Sequence, residues 1–204
     1  MIAKVCGITN NEDARMALDA DADLIGFVCY PASPRHCVDL ASASAGIGAR
    51  GVLVTVGDRI ESMIQEAKCH ALGWIQPYLP THERINALTH AHAAGLKLLL
   101  PWPDSADQPM AEADLYVWET APAQTGLHGG SGQSHAAKFP PPGPFLLAGG
   151  LDGGNVRDRI NALTQDQRSQ CRGADAASRL ETSPGHKSAS KVQQFTSTVH
   201  ACTL

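Results

Sequence analysis

No stretch of this chain approaches the ~20 consecutive apolar residues that a helix needs to cross a bilayer. The N-terminus lacks the basic start and long apolar region of a secretory signal peptide. Basic residues are not in excess either, because 16 lysines and arginines face 20 acidic residues and the formal net charge is −4. Nucleic-acid binding proteins usually carry a basic stripe. We therefore expect a cytoplasmic protein that binds neither membrane nor nucleic acid.

Closely spaced metal ligands are missing as well. The six cysteines are scattered and form no Cys-x-x-Cys unit of the kind that zinc sites and redox motifs use. In a reducing compartment they should be free thiols. The nine histidines are also dispersed, and His90 and His92, two positions apart on a helix, point to different faces. The sequence thus predicts no metal site.

What the chain does contain is a repeated alternation of short apolar runs and helical patterns. Its 204 residues, 43% apolar and 18% charged, are typical of one globular domain spanning residues 1–204. The apolar runs are continuous, as expected for parallel strands that are covered on their outer face. We predict eight strands, at 2–6, 23–28, 51–56, 72–76, 96–100, 114–118, 144–148 and 173–178.

Helical periodicity fills the intervals between these runs. Apolar residues recur with a helical period over 60–67, 156–163 and 192–199. Asn10, followed by two acidic residues, predicts a helix start with its acids near the positive end of the dipole. Thr81 is a weaker start of the same type.

Strand–helix alternation allows either a doubly wound sheet or a (β/α)₈ barrel. Eight repeats, and the absence of a Gly-x-Gly-x-x-Gly fingerprint, favour the barrel. The predicted fold class is therefore α/β, a single small (β/α)₈ TIM barrel. From Glu119 to Gly143 the chain is rich in Gly, Pro, Ser and His, which predicts a long loop with the sixth helix reduced to a turn near Ala136–Phe139.

Candidate phosphate-binding residues follow the last two predicted strands. Barrel enzymes carry their sites on the loops after the strands, and phosphate groups commonly bind after strands 7 and 8. Gly149 and Gly150 end the seventh strand, where backbone N–H groups without a Cβ can approach an anion closely. Ser178 and Arg179 end the eighth strand and would complete the site. A plain strand-to-helix turn is the alternative interpretation.

Four segments together resemble a known family. They lie at 4–9, 26–35, 147–156 and 181–187 and include Lys-Val-Cys-Gly-Ile-Thr, Gly-Phe-Val-Cys-Tyr-Pro with Ser-Pro-Arg, Leu-Ala-Gly-Gly-Leu and Glu-Thr-Ser-Pro-Gly-His-Lys. In order and spacing they resemble the phosphoribosylanthranilate isomerases over nearly the whole chain. The resemblance implies a small (β/α)₈ barrel of tryptophan biosynthesis. Such an enzyme converts an aminoaldose to an aminoketose by an Amadori rearrangement, without metal or organic cofactor.

The resemblance also implies roles for single residues. Cys6 matches the general base that removes the C2′ proton, and Glu119 stands where the family has an aspartate as general acid. Arg35 matches the arginine that holds the anthranilate carboxylate, and Asp175 matches an aspartate that contacts sugar hydroxyls. The segment 129–132, Gly-Gly-Ser-Gly, resembles a flexible loop over the substrate. From the residues alone, Cys6 is also compatible with an inert buried thiol, Glu119 with a solvated loop acid, and Arg35 with a surface charge.

Three segments depart from the family pattern. Residues 76–79 read Gln-Pro-Tyr-Leu instead of Gln-Leu-His-Gly, residues 100–103 lack an arginine, and 177–179 replace a Ser-Ser-Gly run. The leading prediction is an intramolecular oxidoreductase of the aldose–ketose type whose substrate is a phosphorylated small molecule, N-(5-phosphoribosyl)anthranilate. The departures leave open an isomerase of another phosphorylated aminosugar, or a catalytically impaired barrel that binds a phospho-ligand. Monomer and homodimer are both compatible with the sequence.

Overall fold

A closed parallel barrel of eight strands forms the centre of the protein. In the computed structural model, which describes residues 1–103, 111–119 and 139–203, each strand pairs with the next along the chain and the eighth pairs with the first. The predicted barrel is confirmed, and each predicted strand is present with ends that shift by a few residues at most. The strands are β1 Ile2–Cys6, β2 Leu24–Val28, β3 Gly51–Val56, β4 Trp74–Tyr78, β5 Lys97–Pro103, β6 Leu115–Glu119, β7 Phe145–Leu147 and β8 Cys171–Ala176.

Helices cover the outer face of the barrel, and a short hairpin precedes the last of them. The predicted loop at 119–143 and the glycine-rich segment 129–132 lie mostly or wholly outside the described residues. No helix in the described part of the chain is long and apolar enough to serve as a membrane span. The helices are α1 Asn11–Asp19, α2 Leu40–Ala43, α3 Ile60–Cys69, α4 Ala87–Ala93, α5 Val156–Asn161, α6 Gln165–Gln170 and α7 Ala189–His200, and the hairpin consists of β9 Glu181–Ser183 and β10 His186–Lys187.

The two predicted helix starts have different outcomes. The Asn10 side chain accepts a hydrogen bond from the Asp13 backbone N–H at 2.8 Å, which confirms the start of α1. The start at Thr81 is wrong. Residues 81–83 form a 3₁₀ turn, because the Glu83 N–H bonds back to the Pro80 carbonyl, and α4 begins only at Ala87.

Side chains alternate along each strand between the helix layer and the barrel interior. Outward residues such as Val5, Phe27 and Leu53 are buried in the core cluster that also includes helix side chains. Inward residues such as Val117 and Leu146 fill the barrel itself. Polar side chains that point inward therefore enter an apolar interior, and among the described residues they include Lys4, Gln76, Tyr78, Glu119 and Asp175.

Candidate active site

Four of these inward polar residues, Gln76, Tyr78, Glu119 and Asp175, line a cavity at the carboxyl ends of the strands, which encloses about 400 Å³ of empty space including its open mouth. Cys6 and Glu119 are the last residues of β1 and β6, Asp175 lies near the end of β8, and Arg35 comes from the loop after β2. The structure thus brings together four of the predicted site residues. The rest of the lining consists of Gly7, Val28, Ser33, Val54 and Ala177.

The thiol of Cys6 is buried against the backbone of β2. A Cβ added at Gly26 would lie 2.7 Å from Cys6 Sγ, so only glycine at this position leaves room for the sulfur. Burial raises the pKa of the Cys6 thiol above its ordinary value, and the positive charge of Lys4 opposes that effect. The thiolate therefore depends on its charged neighbours for stability.

Lys4 supplies that positive charge. It precedes Cys6 by two residues on β1, is fully buried, and donates from Nζ to Asp175 Oδ1 at 2.9 Å. Burial alone would lower the pKa of Lys4, but the charges of Asp175 and Cys6 outweigh burial and the pKa is raised. Sequence analysis quoted Lys4 within a motif and gave it no role. A lysine inside an otherwise apolar strand was the available signal, since lysine is almost never fully buried unless it is paired.

Glu119 is a buried carboxyl group whose environment suits a proton donor. Burial raises its pKa from 4.5 to about 7, while a hydrogen bond from Tyr78 and the charge of Lys4 act in the opposite direction. Among the described residues, none hydrogen bonds to Oε1. Asp114, which directly precedes β6 at the other end of the barrel, is a second acid near this strand; it accepts from His92 and from the Leu98 backbone N–H and does not line the cavity.

Tyr78 is a site residue that sequence analysis did not assign. It is the last residue of β4, lines the cavity, and forms a side-chain hydrogen bond with Glu119. Burial raises the pKa of Tyr78 well above 10, so the phenol keeps its proton and donates to the carboxyl group. The sequence showed only that residues 76–79 differ from the family pattern.

Arg35 is held in place by a carboxylate from the far end of the chain. Its Nε and Nη2 donate to the two oxygens of Glu181 at 2.7 and 2.9 Å, a bidentate pair. Lys187 Nζ also donates to Glu181, at 2.9 Å. Gly7 has φ +74°, and a Cβ there would lie 2.6 Å from Arg35 Cδ. These contacts fix the guanidinium at the mouth of the cavity.

The predicted phosphate-binding residues lie at the same rim but outside the described cavity lining. Gly149 and Gly150, with φ of 100° and 61°, follow β7. Ser178 and Arg179 belong to a 3₁₀ turn after β8, and Arg179 Nη1 donates to Asp152 Oδ2 at 3.2 Å. Their role in binding phosphate stays a prediction. Within the described residues, no group of three or more His, Cys, Asp or Glu side chains is placed to hold a metal ion.

A thiol and a carboxylic acid of near-neutral pKa share a cavity at the carboxyl end of a (β/α)₈ barrel, and a buried ammonium is paired with the aspartate that lines it. This combination defines the class of barrel enzymes that act by general acid–base catalysis.

Comparison with known proteins identifies the family. The family model for N-(5′-phosphoribosyl)anthranilate (PRA) isomerase matches residues 3–198. The chain is 32% identical to the N-(5′-phosphoribosyl)anthranilate isomerase of Azorhizobium caulinodans, covering 97% of this chain and 91% of that one. It is 33% identical to that of Rubrobacter xylanophilus, covering 95% and 96%. The chain therefore belongs to the N-(5′-phosphoribosyl)anthranilate isomerase family, which confirms the resemblance seen in the sequence.

Solved structures agree with this assignment. The crystal structure of TrpF from Jonesia denitrificans superposes with a TM-score of 0.75 at 26% identity, covering 98% of this chain and 97% of that chain. Phosphoribosyl anthranilate isomerase from Thermotoga maritima superposes with a TM-score of 0.72 at 22% identity, covering 99% and 100%, and supports the fold alone.

Proposed function

We propose that this protein catalyses the Amadori rearrangement of N-(5′-phosphoribosyl)anthranilate to its 1-deoxyribulose 5-phosphate product in tryptophan biosynthesis. The observation that carries the proposal is the placement of Cys6 and Glu119 on one cavity in a barrel of this family. The reaction needs both groups because it opens a ring with an acid and removes a carbon-bound proton with a base. C2′ is oxidised while C1′ is reduced, so the electrons balance within the substrate.

Ring opening is assigned to Glu119. Its neutral carboxyl donates a proton to the furanose oxygen, the bond from that oxygen to C1′ breaks, and the nitrogen lone pair forms a C1′=N double bond. A pKa of about 7 leaves a substantial protonated fraction at neutral pH, which an ordinary surface glutamate would not have.

Proton removal from C2′ is assigned to the Cys6 thiolate. The electrons of the broken C–H bond move toward the iminium nitrogen and give an enolamine. This intermediate becomes the ketone when C1′ gains a proton and the C2′ hydroxyl loses one. Lys4 favours the thiolate electrostatically, since it is positively charged and buried beside the sulfur.

Substrate binding is assigned to the remaining predicted residues. Arg35 would pair with the anthranilate carboxylate and Asp175 with a sugar hydroxyl, while Gly149, Gly150, Ser178 and Arg179 would hold the phosphate. We place the reaction in the cytoplasm, which agrees with six free cysteines and a thiol base. The protein would act as a monomer or a homodimer.

The direct test is fluorescence-monitored consumption of freshly generated phosphoribosylanthranilate by the purified protein. The proposed function requires saturable turnover. A folded protein that binds the reduced product analogue without turnover would be the catalytically impaired barrel. A folded protein that neither binds the analogue nor turns over the substrate would contradict the proposed function.

The pH profile of kcat/KM should show reversed protonation of the catalytic pair. The pKa of Glu119 is about 7 and burial raises that of Cys6 above its ordinary value, so the acid loses its proton before the base does. The value of kcat/KM follows the product of two fractions, that of Glu119 with a neutral carboxyl and that of Cys6 as thiolate. This product rises up to pH ~7, stays flat between the two pKa values, and falls only above the pKa of Cys6. We expect the lower limb near pH 7 to move upward in Glu119→Gln. A lower limb that stays at its wild-type position would assign it to Cys6 instead.

Glu119→Gln should lower kcat by about 100-fold or more, because general acid catalysis typically contributes 10²–10⁴-fold.

The Glu119→Gln variant should also be more stable than the wild type at pH 8. A folded-state pKa of about 7 against 4.5 means that the native state keeps a proton that the unfolded chain releases, so wild-type stability falls between these pH values. The gain should approach about 2–3 kcal/mol above pH 7 and vanish below pH 4.5. Urea unfolding of the variant and the wild type at pH 8 and below pH 4.5 measures this gain. A variant that is less stable than the wild type at pH 8 would contradict the buried environment assigned to Glu119.

A further inference from the structure

A cluster of three charged side chains joins the loop after β2 to the hairpin β9–β10. Glu181 Oε1 accepts from Arg35 Nε at 2.7 Å and from Lys187 Nζ at 2.9 Å, while Oε2 accepts from Arg35 Nη2 at 2.9 Å. The side chains of Arg35, Glu181 and Lys187 are buried, with exposed fractions of 11%, 4% and 0%. Of the three, Arg35 lines the described cavity. Glu181 therefore acts on the cavity through Arg35.

The Glu181 carboxylate has a fixed place at the rim of the barrel. Lys187 is its cross-strand partner in the hairpin, and Lys187 Nζ also donates to the Ala177 carbonyl at 3.1 Å. The Lys187 backbone N–H donates to Asp13 Oδ2 at 2.9 Å. Because Ala177 directly follows β8 and Asp13 belongs to α1, these contacts attach the hairpin to both sides of β1.

Glu181 also determines which donors of the guanidinium are left for a ligand. A guanidinium carries five N–H donors in a planar fork, and Glu181 takes Nε–H and one N–H of Nη2. The other donors belong to Nη1 and Nη2, and this end of the fork can bind a second carboxylate through two hydrogen bonds. The stem is confined as well, since a Cβ on Gly7 would lie 2.6 Å from Arg35 Cδ. The structure thus presents one defined end of the guanidinium.

Lys187 sets the charge of the cluster. Arg35 and Glu181 by themselves would form a neutral pair with little attraction for an anion. Lys187 adds a second cation, so that two cations and one carboxylate leave one net positive charge. Burial lowers the pKa of Lys187, and the charge of Glu181 opposes that shift.

We propose that Glu181 is a positioning residue for Arg35, which fixes the guanidinium so that its Nη1–Nη2 end receives the carboxylate of the ligand. Lys187 compensates the charge of Glu181 and keeps that end attractive to an anion. The proposal rests on the proposed function and makes the hairpin β9–β10 the determinant of carboxylate selectivity. Without Glu181, the arginine would have to be immobilised when the ligand binds, which lowers affinity by about 3- to 10-fold.

The test compares two ligands that differ only in the carboxylate. One is the reduced product analogue, and the other is the same molecule with a phenyl ring in place of the carboxyphenyl ring. Calorimetry measures the Kd of both for the wild type, Glu181→Gln and Glu181→Gln/Lys187→Met. Glu181→Gln alone leaves two buried cations without a carboxylate, which is destabilising. The double variant removes one of them, so it keeps the net charge of the cluster and lacks only the ion pairs.

Both variants should bind the carboxylated analogue about 10-fold more weakly, and the analogue without a carboxylate within two-fold of the wild type. Equal losses for the two ligands would mean that Glu181 only supports the fold, which overturns the proposal. Tighter binding of the carboxylated analogue by Glu181→Gln would also overturn it, because Arg35 would then act through charge alone. If the single variant does not fold, the double variant decides between the first two outcomes.

Lys191→Met is the matched control. Lys191 Nζ donates to the Glu181 backbone carbonyl at 2.7 Å, so this variant removes a contact of the same residue and leaves the carboxylate in place. Both affinities should stay within two-fold of the wild type. A 10-fold loss for the carboxylated analogue would assign the effect to the integrity of the hairpin and overturn the role of the carboxylate.

Steady-state kinetics provide a second readout. An interaction that holds substrate and transition state equally changes KM and not kcat. The double variant should therefore raise KM for phosphoribosylanthranilate about 10-fold and keep kcat within about three-fold, and a loss in kcat alone would contradict the proposal. A wild-type protein that shows the expected affinities without turnover would support the role of Glu181 and overturn the proposed function.

Discussion

Cys6→Ala should lower kcat by about 10⁴-fold, at the upper end of what a positioned base contributes. Glycosylamine rings open and close in water without an enzyme, but removal of the C2′ proton requires a base held against it. The thiol is the titratable group that β1 directs into the cavity mouth, and alanine leaves only water to accept the proton. Fluorescence-monitored turnover of phosphoribosylanthranilate measures the loss.

The matched control is Cys69→Ala, which removes an exposed thiol at the end of α3. It should leave kcat and KM at wild-type values. Thermal unfolding of both variants separates catalytic loss from misfolding. Residual turnover of Cys6→Ala within ten-fold of the wild type, in a folded protein, would show that another group is the base.

Lys4→Met should lower the free energy of unfolding by about 3–5 kcal/mol, because breaking a buried ion pair leaves one charge without a partner. Methionine fills a similar volume but leaves Asp175, only 12% exposed at its side chain, as an isolated carboxylate in the barrel. The double variant Lys4→Met/Asp175→Asn removes both charges and should recover most of the loss. Urea unfolding of the single and double variants at pH 7 measures the difference.

A surface ion pair provides the comparison for this prediction. Arg59 and Glu61 are 3.5 Å apart and largely exposed. Arg59→Met should therefore change the free energy of unfolding by at most about 1 kcal/mol. If Lys4→Met cost no more than Arg59→Met, the interior around Lys4 would be far better solvated than its burial indicates.

The barrel was predictable because its signal is local. Each apolar run is a strand by itself, and eight runs with helical intervals leave few architectures. Cys6 and Arg35 were assigned through short motifs that follow strands, and Asp175 through its match inside the eighth strand; the structure places all three on the cavity. The boundary errors, such as β4 at Trp74–Tyr78 rather than 72–76, come from rim residues whose structure is decided by packing and not by periodicity.

The contacts between distant residues were not predictable from the sequence. Lys4 lies beside Asp175 because the register of β1 against β8 pairs these two residues, and that register is set only when the barrel closes. Tyr78 was visible merely as a departure from a family pattern, since no local signal brings it to Glu119. Both residues became part of the site through the inward alternation of strands that are far apart in the chain.

The pairing of Arg35 with Glu181 has a consequence for the newly made chain. The two residues are 146 positions apart, and Glu181 lies in the hairpin β9–β10, which follows all eight strands of the barrel. Synthesis proceeds from the N-terminus, so Arg35 leaves the ribosome long before the carboxylate that orients it exists. A nascent barrel therefore lacks the contact that orients Arg35 until synthesis has passed Glu181. Chains that stop before Glu181 should accordingly leave the Arg35 guanidinium without its bidentate partner.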